Sequence, residues 1–511
     1  MKSAFSRGIL VLHRYMGVVV GVLMTVWCLS GFVMMYQAMP GVTAEEALTA
    51  LQPVDLSAPL ALDALPFAAD DEIGGFRIDM LGDRPVLRLG GGGRRGGGGG
   101  GPTGNYDLIS GEELAELTPD QVSAVARQFA AAKGIEPADN LHPVLMQEQD
   151  QWTLQAFRSN QPLYRVSLGD PAASDVYVSA ASGSVVMDTD RTERVLAWLG
   201  AIPHWLYPTV LRKDGELWNQ VVIWTSVIGT FLTITGLYVG IGRITRRKKG
   251  RISPYKGLWY WHHMIGLVFG LLTMTWVFSG LMTMSPWGLL EGSRNTYRQD
   301  IAGETNWGAV RGFIEQAGHQ GLPDGTAQLR PAVLGGQLHV LAHSAGGEPL
   351  RLGSDARVAP LQQAEVEQAV GKALGSMPRS PMTLFTGEDA YHYGFKDREA
   401  QPAYLVVLQD PQQTRIYLNA ATGEVGRVVD DAARQSRWLR NGMHSLDFIP
   451  GRPLWDVITL LLLAGVTAVC ATGAWMSFRR VGRDVKMVRR RFRRKPAAAV
   501  PTKGVLAKQD G

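Results

Sequence analysis

Ten histidines occur in the 511 residues, and four of them stand at matching places in the chain. His13 opens HRYMGVVVG and His262 opens HHMIGLVFG, each at the head of a long apolar run. His204 and His444 stand shortly before two further apolar runs. Imidazole is the commonest metal ligand among side chains, and two of them facing each other can fill both axial positions of a haem iron. Such an iron cannot bind oxygen, which favours electron transfer. Gly17 and Gly21 follow His13 at +4 and +8, and Gly266 and Gly270 follow His262 in the same way. Residues four apart share a helix face, so each histidine lies beside a strip without side chains, against which a flat macrocycle can rest. Axial ligation is therefore assigned to His13, His262, His204 and His444, with the four glycines as the cradle. A single interfacial histidine, or a small-xxx-small glycine pair, reads as ordinary helix packing. Four histidines in two matched pairs favour the metal. His263 lies one residue around the helix, is matched by Arg14, and ranks behind His262 as a ligand.

These residues need elements to carry them, and the elements come twice. At one constant offset His13, Gly17, Gly21, Trp27, Ser30 and Gly31 match His262, Gly266, Gly270, Trp276, Ser279 and Gly280. The segments VYVSAASGSVV and IYLNAATGEVG also match, as do Trp198 with Trp438 and His204 with His444. After a small gap Trp218 aligns with Trp455 and Gly236 with Gly473. Four stretches lack Asp, Glu, Lys and Arg over at least the roughly 20 residues that cross a bilayer. The spans are expected at 8–39, 217–242, 257–284 and 454–478. Each half then reads as span, large segment, span, and two such halves are parallel repeats about an axis near the membrane normal.

Charge orients them. The segment 243–256 holds seven basic residues and no acid, and the tail 479–511 holds twelve basic and two acidic residues. The rest of the chain beyond these and the first fourteen residues is net −15. Cytoplasmic loops carry the excess of Lys and Arg, so both termini and the short loop are expected in the cytoplasm. The large segments, 42–216 and 285–453, are expected in the periplasm. The pI of 9.1 is thus a topology signal, and nucleic-acid binding is a poor reading of it. Strand-like runs (FRIDML, PVLRLG, WTLQAF, DVYVSA, QLHVLAH, AYLVVLQ, TRIYLNA) and helical stretches at Asp120–Lys133 and Gln363–Leu374 make each large segment a small α+β domain. The fold class is a four-helix membrane protein with two such domains.

Other signals carry less. The two cysteines, Cys28 and Cys470, exclude a disulfide scaffold, a Cys-ligated metal site and a covalently attached c-type haem. The tract 90–101 contains a formal G-x-G-x-x-G but is low-complexity and reads as a flexible loop. His339 and His343 sit on a strand, where i and i+4 are about 13 Å apart, and read as structural. Trp27 and Trp276 read as packing, as do the methionines of the spans, with a soft-metal path such as a copper route as their alternative.

With these residues in view the chain resembles the PepSY-associated transmembrane-helix family, through HRYMGVVVG and HHMIGLVFG, WCLSG and WVFSG, and AASGSVV and AATGEVG. The resemblance implies PepSY-like periplasmic domains, two b-type haems on the four histidines, and a bacterial inner-membrane protein that reduces ferric siderophores to release Fe(II). The electron donor would be a cytoplasmic reductase or a quinol. The alternative function is a membrane-tethered PepSY binding or regulatory protein without redox activity. The absence of intramembrane charge argues against a transporter.

Overall fold

In the computed structural model, residues 4–90, 102–244, 252–290, 296–396 and 398–493 are described; most of the glycine tract, half of the basic loop and the end of the basic tail lie outside them. Among the described residues four helices are long and apolar enough to cross a membrane: Ala4–Met34, Gly215–Gly242, Leu258–Thr283 and Arg452–Arg493. The fourth runs on into the basic tail, helped by an i,i+4 pair between Arg480 and Asp484 at 3.2 Å. The chain divides into two compact units, one of residues 1–28, 227–274 and 462–511, the other of 29–226 and 275–461.

Among the described residues the second unit holds fourteen strands in three antiparallel sheets. In the first large segment they are β1 (Phe76–Leu81), β2 (Arg84–Leu89), β3 (Gly104–Asp107), β4 (Val144–Leu145), β5 (Leu163–Ser167), β6 (Asp175–Ser179) and β7 (Val185–Thr189). In the second they are β8 (Gln328–Leu334), β9 (Gln337–His343), β10 (Leu350–Leu352), β11 (Thr383–Phe385), β12 (Ala403–Val407), β13 (Arg415–Asn419) and β14 (Val425–Val429). Two four-stranded sheets, β4–β7 and β11–β14, correspond to each other down to a bulge at Tyr177/Val178 and at Tyr417/Leu418. Helix Pro119–Ala132 closes the first through Val122, Ala126 and Phe129, and helix Gln363–Leu374 closes the second through Val366, Ala369 and Val370.

The third sheet corrects the expectation of two separate domains. Its order is β10-β9-β8-β1-β2-β3, so each large segment contributes three strands. The joint is short, Ile78 opposite Leu329 and Asp79 opposite Gln328. Strands β1 and β8 would otherwise expose unpaired edges, and pairing them removes both. One core lies beneath, with Ile78 and Leu87 from the first segment and Leu329, Val340, Trp307 and Phe313 from the second. At the joint Asp79 is buried and satisfied by Arg88 and Arg77, each at 2.8 Å. A second correction concerns WTLQAF, which is a turn region. Asp150 accepts hydrogen bonds from the backbone of Trp152 and Thr153 and from the Thr153 hydroxyl, and this local competition keeps the segment out of a ladder.

Candidate functional site

In the first unit His13 and His262 line one partly open cavity between the spanning helices, together with Gly17, Gly21, Gly266 and Gly270. His13 Nδ1 lies 3.1 Å from the Leu232 carbonyl and 3.2 Å from Thr235 Oγ1. The Thr235 hydroxyl already donates to that carbonyl at 2.8 Å, so its only proton is committed. Both neighbours of Nδ1 are therefore acceptors, and Nδ1 must carry the hydrogen. His262 repeats the arrangement. Its Nδ1 lies 3.0 Å from Thr472 Oγ1, whose proton goes to the Ala468 carbonyl at 2.6 Å. The Thr472 hydroxyl also lies 3.2 Å from the Val469 carbonyl, one turn earlier, as Thr235 lies by Leu232. A neutral imidazole with its hydrogen on Nδ1 keeps the lone pair on Nε2. That is the tautomer in which metal-ligating histidines are held by their outer-shell partners.

Gly236 and Gly473 let the rings reach these positions. A Cβ at Gly236 would stand 2.8 Å from His13 Cε1, and one at Gly473 3.0 Å from His262 Cε1. The four glycines assigned from the sequence divide in role. A Cβ at Gly266 would meet nothing within 4 Å, as a cradle requires. One at Gly17 would reach Ser477 Oγ at 2.7 Å, one at Gly21 Ala474 at 3.4 Å, and one at Gly270 Leu237 at 2.8 Å. Those three also serve helix packing. His263 has both ring nitrogens engaged, Nδ1 with Ser253 Oγ and Nε2 with the Gly240 carbonyl, each at 2.8 Å. Its Nε2 is the protonated nitrogen, so its bonds tie the helix end to its neighbours.

In the second unit the His204 and His444 rings face each other with centroids 6.2 Å apart and planes inclined by 61°. Metal–imidazole bonds run at about 2.0–2.1 Å, and a ring centroid lies about 1.1 Å behind its nitrogen. Two imidazoles on one metal therefore place their centroids about 6.3 Å apart, the separation found. Each Nδ1 is again beside a hydroxyl, Ser30 Oγ for His204 and Ser279 Oγ for His444, both at 3.1 Å. Ser279 donates to the Trp276 carbonyl at 3.0 Å, so His444 Nδ1 carries the hydrogen by the same reasoning. Desolvation holds the half-buried His444 imidazole below its ordinary pKa, in the neutral form a metal requires. His204 lies on the short helix Ala201–Trp205 and His444 near the end of a π-helical turn, Arg437–Ser445. π-Helical turns are rare and occur often at functional sites.

The structure brings His13 and His262 to one cavity and the His204 and His444 rings into contact, and neutral imidazoles of this kind are a donor set that a haem iron accepts. No group of three or more His, Cys, Asp or Glu among the described residues could hold a metal ion. Sequence reasoning missed the hydroxyls and the glycines behind the rings. The signal was there, since Ser30 and Ser279, Thr235 and Thr472, and Gly236 and Gly473 are matched in the repeat. A comparison with curated proteins finds no match to the chain. The family model for the PepSY-associated TM region matches residues 10–480. The chain is a membrane protein of the PepSY-associated transmembrane family.

Proposed function

We propose that the chain is an inner-membrane, dihaem b-type electron-transfer protein that reduces periplasmic ferric siderophore and so releases Fe(II). The observation that carries this reading is the 6.2 Å separation of the His204 and His444 rings, with each Nδ1 tied back to a serine. His13 and His262 would hold one haem and His204 and His444 the other. When bound, haem supplies a one-electron carrier whose potential is set by its axial ligands and their hydrogen bonds.

The chain's own residues do the rest. Thr235, Thr472 and Ser279 keep a proton on Nδ1, which leaves Nε2 as the ligating atom and fixes the ring planes. Apolar side chains such as Met24 and Leu267 line the His13–His262 cavity and lower its polarity. Nothing in the spans needs to act as an acid or base. The siderophore as acceptor comes from the family resemblance, and the donor would be a cytoplasmic reductase or a quinol. Two parallel repeats with both large segments in the periplasm agree with the matched hydroxyls, with the sheet order and with the basic short loop and tail.

The test is the reduced-minus-oxidised spectrum of detergent-purified protein with haem quantified per chain. Sharp b-type bands and about two haems per chain are expected. His204→Ala and His444→Ala should each remove one haem, and His13→Ala and His262→Ala the other. Protein that holds no haem after expression with ample iron would sink the proposal.

A further inference from the structure

Trp218 and Trp455 stand at matched places in the first turns of the second and fourth spanning helices. Their indole nitrogens make matched bonds. Trp218 Nε1 donates to the Trp205 carbonyl at 2.9 Å, and Trp455 Nε1 to the Ser445 carbonyl at 2.7 Å. Each carbonyl belongs to the residue immediately after a facing histidine, His204 or His444. The next residue is in both cases a leucine in the left-handed region, Leu206 at φ 51° and Leu446 at φ 51°. A β-carbon disfavours that conformation, and it persists only where the surroundings over-determine it. The indole bond is one such constraint, placed where the chain must turn sharply behind the ligand.

The rings themselves are held. The Arg212 guanidinium lies 4.6 Å from the Trp218 ring, and the Lys396 ammonium 4.8 Å from the Trp455 ring. Tyr207 packs edge-on to Trp218 at 5.3 Å, and Phe395 to Trp455 at 5.6 Å. Arg212 precedes its tryptophan within the same connection, whereas Lys396 comes from the loop before β12. The two halves thus reach one grip with residues that are not matched in the repeat. Inheritance from a common unit does not explain that; a shared requirement of the two tryptophans does.

We propose that Trp218 and Trp455 are positioning residues for the His204–His444 pair: each locks the backbone turn behind its histidine and so sets the distance and angle at which the two imidazoles face. This rests on the reading that the pair ligates a haem. The bond acts through the main chain, so the donor hydrogen matters more than the ring's bulk.

The test uses full-length, haem-loaded protein in detergent, with Trp455→Phe and with 3-benzothienylalanine introduced at position 455 by amber suppression. The second residue keeps the ring and its cation contact but lacks the N–H. Haem transfer to excess apomyoglobin should show two phases in the wild type. In both variants one phase should accelerate about tenfold, the scale of outer-shell losses at metal sites. One of the two low-spin electron paramagnetic resonance signals should shift, and the other phase and signal should stay as they were. If the phenylalanine variant does not fold, the isostere decides. Two unchanged phases and signals in the isostere, in a protein that holds two haems, would overturn the positioning role alone. A wild type without haem would overturn the underlying reading, and this proposal with it.

Discussion

Gly236→Ala separates a ligand role for His13 from a packing role. The added Cβ would stand 2.8 Å from His13 Cε1. Carbon atoms prefer about 3.5–4.0 Å, so ring or helix must give by about 0.7–1.2 Å. The ring has little freedom to yield, because Nδ1 is held by Leu232 and Thr235 on the same helix as the glycine. Metal–ligand distances tolerate about 0.2 Å, so the shift exceeds what axial ligation accepts several-fold. The cost to the fold is that of overpacking, about 1–3 kcal/mol, which a membrane bundle survives. The expected result is a folded protein with about one haem in place of two, or with one haem converted to a five-coordinate high-spin form. The assays are haem content per chain and electron paramagnetic resonance. Gly266→Ala is the comparison, since its Cβ would meet no protein atom within 4 Å. Any haem lost from it reports a macrocycle lying against that face. Two haems with wild-type low-spin signals in Gly236→Ala would refute the assignment of His13.

Three further outcomes are expected. His263→Ala should keep both haems but lower the thermal stability of the helical unit, because both its ring nitrogens are hydrogen-bonded; loss of a haem would make it the ligand instead of His262. Thr472→Val removes the hydroxyl acceptor of the His262 Nδ1–H. The loss of one net hydrogen bond, about 0.5–1.5 kcal/mol, corresponds to about 2- to 13-fold weaker haem retention, and Thr472→Ser should restore it. Burial holds His339 and His343 on β9 below their ordinary pKa, with Arg351 and Arg330 adding to it. The unfolded chain therefore binds protons near pH 6.5 that the folded sheet does not, and stability is lost as pH falls through that range. The protection of β8–β10 amides, corrected for the intrinsic exchange rate at each pH, should fall between pH 7.5 and 5.5, and His339→Gln with His343→Gln should flatten the dependence.

The apolar runs, the duplicated HRYMGVVVG and HHMIGLVFG starts and the family were legible in the sequence by itself. Each depends on a local property: hydropathy over some twenty residues, or identity at a constant offset. Helix Gln363–Leu374 and strand β1 were read from the same kind of signal, cap chemistry and alternation. The fourth helix ran past its expected end because hydropathy marks where lipid stops, whereas the backbone ladder continues as long as helix formers do.

What only the tertiary structure decided is which groups meet. The joining of β1 to β8 depends on two strand edges distant in the chain, and no local pattern announces an edge that needs a partner. That both ring nitrogens of His263 are engaged depends on where Ser253 and Gly240 come to lie, which spacing along its own helix does not announce. The glycines that matter most to the rings, Gly236 and Gly473, sit on helices other than the histidines' own. Spacing along one helix pointed to Gly17 and Gly21, but the close approach of a ring to a backbone is set by a second helix. Sequence periodicity describes one element at a time, whereas a ligand's tautomer and reach are properties of two.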